Sequence, residues 1–208
     1  LFILGGIIMA QSGIAKRLFD VFAYLIGDKT GGMPCASIIT CLFYGAISGS
    51  APATTAAVGT MTIPVLDDMG YDHTFNASTV AIAGGLGVII PPSIPFIVYS
   101  MASGASVGDM FLAGVIPGIL IALCLMIYAV YYSARRGGDR VRIKAVMGEL
   151  RGQGFLRLFL DSFWALLCPV IILGGIYSGL FTPTEAAVPV FYAILVSLFI
   201  YKTIQLKD

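Results

Sequence analysis

From Met110 to Tyr132 the chain reads MFLAGVIPGILIALCLMIYAVYY, 23 residues without a charge. A helix needs about 20 apolar residues to cross the hydrocarbon of a bilayer. Only helices and closed barrels satisfy their backbone there, so this run constrains the fold to a transmembrane helix. Runs 163–180 and 186–201 read the same way. Charged residues make up 11% of the 208, against roughly a quarter in soluble domains, and mean hydropathy is +0.95. The expected class is an all-α polytopic membrane protein, and a net charge of +1 gives no reason to expect nucleic acid. Seven of the twelve basic residues fall in 135–157, opposed there by Asp139 and Glu149. Basic connections favour the cytoplasm, so 135–157 reads as a cytoplasmic loop, with Lys202 and Lys207 returning to the same side. Leu1 opens directly onto apolar sequence and the chain stops just after a helix, in IQLKD. The expectation is a portion of a longer protein.

Two interruptions break the apolar pattern. The arms PCASIITCLFYGAIS and ATTAAVGTMTIPVL, about 15 residues each, flank Gly49-Ser50-Ala51-Pro52. Each arm is short for a crossing, and together they read as a re-entrant helical hairpin over 34–66. The second interruption lies in 74–101, where Gly84, Gly85 and Gly87 precede Pro91, Pro92 and Pro95. Three prolines in five residues exclude one continuous helix, because each interior proline costs about 3 kcal/mol. The carbonyls of Gly84 to Ile90 are therefore expected to be partly released. Upstream, IAKRLFDVFAYLIG (14–27) reads as an amphipathic helix, with Lys16, Arg17 and Asp20 on one side and Leu18, Phe22, Leu25 and Ile26 on the other. LFILGGIIMAQSG reads as a helix fraying at Ser12-Gly13.

Paired interruptions in one membrane chain point to a transporter site. Half-helix N-termini attract anions, while unwound carbonyls and hydroxyls replace the hydration shell of a small hard cation. The first break offers the hydroxyls of Ser48, Ser50, Thr54 and Thr55, with Gly49 and Pro52 shaping the turn. The second offers the carbonyls of Gly84, Gly87, Val88 and Ile90, with Ser93 starting the next half-helix. Small residues also line ordinary helix contacts, so packing remains open for any one of them. Enzymatic readings find no nucleophile–His–Asp set, no paired intramembrane aspartates and no HExxH; the absence of a GxxxxGK[ST] loop leaves an ion gradient as the energy source. Cys35, Cys41, Cys124 and Cys168 read as small buried thiols. His73 lies in a polar turn without metal-ligand company, and Trp164 marks a membrane interface. Thr182-Pro183-Thr184-Glu185 is a capping box and Ser106 to Asp109 resembles one.

GAISGSAPATTAAVGTMTIPVL, AGGLGVIIPPSIPFIVYS, SVGDMFLAGVIPG and ILGGIYSGLFTPTEAAVPVFYA together closely resemble the large membrane subunit of the tripartite ATP-independent periplasmic (TRAP) transporters. The likeness runs in order over nearly the whole chain. It implies an elevator-type transporter of the bacterial or archaeal inner membrane that couples sodium to uptake of an organic anion such as a C4-dicarboxylate or sialic acid. Its implied partners are a small membrane subunit and a periplasmic substrate-binding protein. No cofactor is implied beyond sodium as coupling ion. On that likeness Ser48 to Thr55 and Gly84 to Ser93 supply sodium ligands, with Ser50, Ala51, Pro52, Pro91, Pro92 and Ser93 facing substrate. Residues 1–134 become a partial transport domain, 135–157 a cytoplasmic basic connector and 158–208 scaffold or arm helices. The family's second inverted half is missing, and Pro189 stands where its members usually carry alanine. The competing reading is a non-transporting scaffold or channel-like subunit.

Overall fold

The computed structural model describes residues 13–152 and 154–178. Every regular element among them is helical: α1 (Ile14–Ile26), α2 (Gly32–Ser48), α3 (Ala51–Asp68), α4 (His73–Gly84), a 3-10 turn (Gly85–Val88), α5 (Ile94–Ser103), α6 (Val107–Arg136), α7 (Arg140–Gly152) and α8 (Phe155–Tyr177). Among the described residues, one helix is long and apolar enough to cross a membrane. It is α6, whose Leu112, Ile116, Leu120 and Ile127 are exposed. The Ser12 fray, residues 182–208 and Glu185 lie outside the described residues.

The α2–α3 hairpin is the centre of the fold. Its tip is two residues, Gly49 and Ser50. Gly49 adopts φ 62° and its N–H bonds Gly45 O at 2.9 Å, so the last turn of α2 closes through a left-handed residue that glycine accepts without a Cβ penalty. At the other end of α3, Gly70 (φ 81°) forms a Schellman close, with Tyr71 N donating to Leu66 O and Gly70 N to Asp67 O. Asp72 then caps α4 by accepting from Phe75 N at 2.9 Å. The turn is pinned by Asp67, which accepts from Asn76 Nδ2 and pairs with His73 Nδ1, both at 2.7 Å. These hydrogen bonds, that of His73 first, hold the Asp67 carboxyl below the usual carboxylate range.

Around the hairpin pack α1, α4 and α6. The core joins Phe19 of α1, Met33, Ile38, Cys41 and Tyr44 of α2, Leu66 of α3, Phe75 and Val80 of α4, and Ala122 and Ala129 of α6. Phe75 stacks on Tyr132 with ring centroids 4.0 Å apart, joining α4 to the far end of α6. The amphipathic reading of α1 holds for Leu18, with Lys16 and Asp20 paired at 2.9 Å. It fails for Leu25, which is 56% exposed because the buried stripe runs through Ile14, Ala15, Leu18, Phe19, Val21 and Ala23. The basic connector also departs from the expected loop. Residues 140–152 form α7, which buries Met147 and Leu150 one turn apart. Cys35 and Cys41 are buried as expected, whereas Cys124 is exposed on α6; the Cys168 side chain lies outside the described residues. Trp164 is 38% exposed on α8.

Candidate functional site

The hairpin tip is a closed knot of neutral oxygens. Thr54 Oγ1 donates to Ser50 O at 2.9 Å and shares a 2.7 Å hydrogen bond with Ser48 Oγ. The Ser48 hydroxyl also lies 3.3 Å from Ser50 O and accepts from Ser50 N at 3.3 Å. Ser48 and Thr54 are fully buried. Both hydroxyls are thereby satisfied, as buried polar groups must be. Three oxygens thus converge on one point between the carbonyl end of α2 and the amide end of α3.

The second break lies against this knot. After α4 ends at Gly84, the chain tightens into the 3-10 turn, and Leu86 O accepts from both Ile89 N and Ile90 N. A cis Pro91–Pro92 bond follows. Ser93 then starts α5, its Oγ donating to Val88 O at 2.7 Å and accepting from Phe96 N at 3.4 Å. The expected release of carbonyls is therefore partial, since the break supplies new partners for Leu86 and Val88. Ser93 is fully buried. Ser93→Ala is expected to cost about 1–2 kcal/mol, the cap value, with more from the stranded Val88 carbonyl, read as a lowered unfolding midpoint.

Glycines bring the two breaks into backbone contact. A Cβ on Gly45 would stand 2.7 Å from Gly87 Cα, and one on Gly87 would stand 2.6 Å from Thr54 Oγ1 and 3.0 Å from Ser50 O. A Cβ on Gly84 would overlap Thr55 Oγ1, and one on Gly49 would stand 2.7 Å from Pro92 O. Ile94 N reaches Gly49 O at 3.4 Å. The structure thus joins Ser48, Gly49, Ser50, Thr54 and Thr55 to Gly84, Gly87, Pro92 and Ser93. Ala51 is half-buried and Pro52 exposed on the outer side of the tip, and Pro91 is buried in the break. The Val88 carbonyl is bonded to Ser93 Oγ, and the Ile90 side chain packs over Gly118, its Cδ1 filling the space there.

Sequence reasoning missed the seat of the break. A Cβ on Gly114 would stand 2.5 Å from Ile89 O, and one on Gly118 would stand 2.3 Å from Ile90 Cδ1. Gly114 and Gly118 form a G-x-x-x-G spacing on α6, a pattern that lets another segment approach a membrane helix closely. That spacing was visible in the sequence; what it receives was not. Gly45 was likewise invisible as a partner of Gly87.

No candidate residue carries a charge, so polarity here comes from dipoles. The N-termini of α3 and α5 and the C-termini of α2 and of the α4 segment all end at this junction. Positive amide ends suit an anion and negative carbonyl ends a cation, each worth about 0.3–1 kcal/mol and up to about 2 when partly buried.

The family model described as "Tripartite ATP-independent periplasmic transporter, DctM component" matches residues 1–208. The chain is 43% identical over 208 residues to the C4-dicarboxylate TRAP transporter large permease protein of Pseudomonas aeruginosa, covering 100% of this chain and 47% of that protein. It is equally 43% identical to the isethionate TRAP transporter permease protein of Oleidesulfovibrio alaskensis, covering 98% of this chain and 32% of the relative. The sialic acid TRAP transporter permease protein of Haemophilus influenzae is 39% identical over 207 residues, 99% of this chain and 33% of its own length. The chain spans about a third to a half of the length of these curated relatives, all of them named as transporter permeases.

Proposed function

The chain belongs to the DctM component family of the tripartite ATP-independent periplasmic transporters, a membrane protein family, and from that premise we propose that it forms part of a sodium-coupled importer of an organic acid anion. The observation that carries the reading is the junction of hairpin tip and broken helix, where neutral oxygens and four helix ends meet without a charged side chain. Such a donor set fits a small hard cation. Ser48 Oγ, Thr54 Oγ1 and Ser50 O would hold it, and the bound sodium would supply positive charge that favours an adjacent carboxylate. The amide ends of α3 and α5, opened by Ser50 and Ser93, would orient that carboxylate. Relatives are named for C4-dicarboxylate, isethionate and sialic acid, which share an acidic group and little else.

The whole importer would sit in the inner membrane, receive its substrate from a periplasmic binding protein and be braced by a small membrane subunit. The hairpin would be re-entrant, and the bundle of α2 to α6 would move as a body against scaffold helices in an elevator cycle. The test is uptake of a labelled C4-dicarboxylate or sialic acid into proteoliposomes holding the full permease and its small subunit, with the binding protein outside. Uptake is expected only with an inward sodium gradient and binding protein together. Equal uptake under a potassium gradient would remove sodium coupling. Uptake indifferent to the binding protein would remove the tripartite reading.

A further inference from the structure

Away from the junction, at the basic end of α6, lies a cavity of about 440 Å3 between the α1–α2 turn, α6 and α7. Lys29, Arg140, Lys144 and Arg151 line it, and Asp28 is the one carboxylate in the lining. Arg151 engages Asp28, and Arg140 Nη2 donates to Thr30 Oγ1 at 3.2 Å. Those two contacts fix the walls. Lys29 and Lys144 are exposed at its rim, and their ammonium groups make no ion pair or hydrogen bond among the described residues. Deeper in, the lining includes Tyr71 and Ser133, each 5% exposed. The Ser133 hydroxyl, near that of Tyr71, closes no hydrogen bond of ordinary geometry. The cavity therefore presents uncompensated positive charge at its mouth, above a floor closed by the Tyr71 and Ser133 side chains.

Its depth relative to a bilayer follows from α6. The exposed apolar face of that helix ends in Tyr128 and Tyr131, each 54% exposed, followed by Arg135 and Arg136. The Arg135 guanidinium stands 4.8 Å from the Tyr131 ring centroid. Tyrosines followed by arginines mark the membrane–water boundary, with the amphipathic rings at headgroup level. Ser133, Gly137 and Gly138 of the cavity wall belong to this same level. Beside it, α7 exposes Val141 next to Arg140, as a helix lying at an interface does.

The geometry points to a binding site for a phosphate group in this cavity, carried by an anionic phospholipid whose headgroup enters between α6 and α7. Two free ammonium groups attract the phosphate charge, and the Arg140 guanidinium on the wall beside them adds a third cation. Basic pockets between membrane helices bind anionic headgroups on these terms. A lipid is favoured over a dissolved phosphate because the mouth stands at headgroup depth. The inference depends on the membrane placement and is independent of the ion junction.

The test uses the full permease in nanodiscs of phosphatidylcholine, of phosphatidylcholine with phosphatidylglycerol, and of phosphatidylcholine with added inorganic phosphate. The readouts are the unfolding midpoint and the lipids retained in native mass spectrometry. Phosphatidylglycerol is expected to raise the midpoint and to be retained. A cation near the surface contributes about five-fold in affinity, so the Lys29→Gln/Lys144→Gln double variant is expected to weaken retention about 25-fold. Arg136→Gln removes a charge at the same level outside the cavity and should weaken retention clearly less than either lysine variant. Equal loss in Arg136→Gln would reduce the effect to surface charge and overturn the site. No phosphatidylglycerol effect at all would overturn it too, and a rise produced by inorganic phosphate alone would overturn the lipid assignment. If the double variant folds poorly in neutral discs, each single variant still reads its own five-fold step.

Discussion

Gly45→Ala is expected to separate the hairpin from the broken helix and to destabilise the protein by about 1–3 kcal/mol or more, the cost of overfilling a packed interior. The added methyl would stand 2.7 Å from Gly87 Cα and 3.0 Å from Gly87 N. Both are backbone atoms, so no side chain can rotate away, and one backbone must move. Gly45 sits in α2, whose neighbours Cys41, Tyr44 and Ser48 are fixed in the core. The displacement therefore falls on the break, which itself rests on Gly114 and Gly118 of α6. Gly87→Ala is expected to act from the other side, meeting Thr54 Oγ1 at 2.6 Å and Ser50 O at 3.0 Å. Gly85→Ala is the control, since its Cβ meets nothing within 4 Å. Unfolding midpoints of the three variants in one detergent check the ranking. A Gly45→Ala midpoint equal to that of Gly85→Ala would mean the two breaks are not in contact.

The boundaries of this fold were legible where local chemistry sets them. Gly49 and Ser50 end α2 and start α3, and Pro91 to Pro95 end one half-helix and start the next. Glycine and proline act on their own backbone, so their effects need no knowledge of a partner. Ser106 is a cap in the structure, accepting from Asp109 N, for the same reason. What the sequence could not supply was pairing across distance. Nothing near Gly45 says that Gly87 lies against it, and the glycines of α6 announce close packing without naming Ile89 and Ile90 as its occupants. The helix inside the connector went unread for a different reason. Its charge count drew attention from Ile143, Val146, Met147 and Leu150, whose spacing of three, four and seven is a helical stripe. Leu25 shows the limit of periodicity: it fixes a face but not where the core ends along it. The oxygens of the junction were legible as a set, because Ser48, Ser50, Thr54 and Thr55 cluster within eight residues around Gly49 and Pro52. Their mutual hydrogen bonds were not.

Those hydrogen bonds make Thr54→Val the sharpest probe of the junction. Valine keeps the shape and removes one hydroxyl that is bonded to Ser48 Oγ and Ser50 O. Ser48 keeps Ser50 O and Ser50 N as partners, so the purely structural loss is about 0.5–1.5 kcal/mol, the net value of a hydrogen bond. That loss is the same in any salt. An ion held by the native state adds a second, salt-specific quantity: about 2.7 kcal/mol when its concentration is a hundredfold above Kd. In NaCl, KCl and choline chloride at equal ionic strength, the unaltered full-length permease is expected to unfold highest in sodium. Thr54→Val is expected to lower all three midpoints slightly and to abolish most of the sodium excess. Ser93→Ala should lower the three midpoints together, because its hydroxyl is spent on Val88 O and Phe96 N. If Thr54→Val instead shifts the three salts by the same amount, the knot at Ser48, Ser50 and Thr54 is turn chemistry. The coupling ion would then have to be sought away from the hairpin tip.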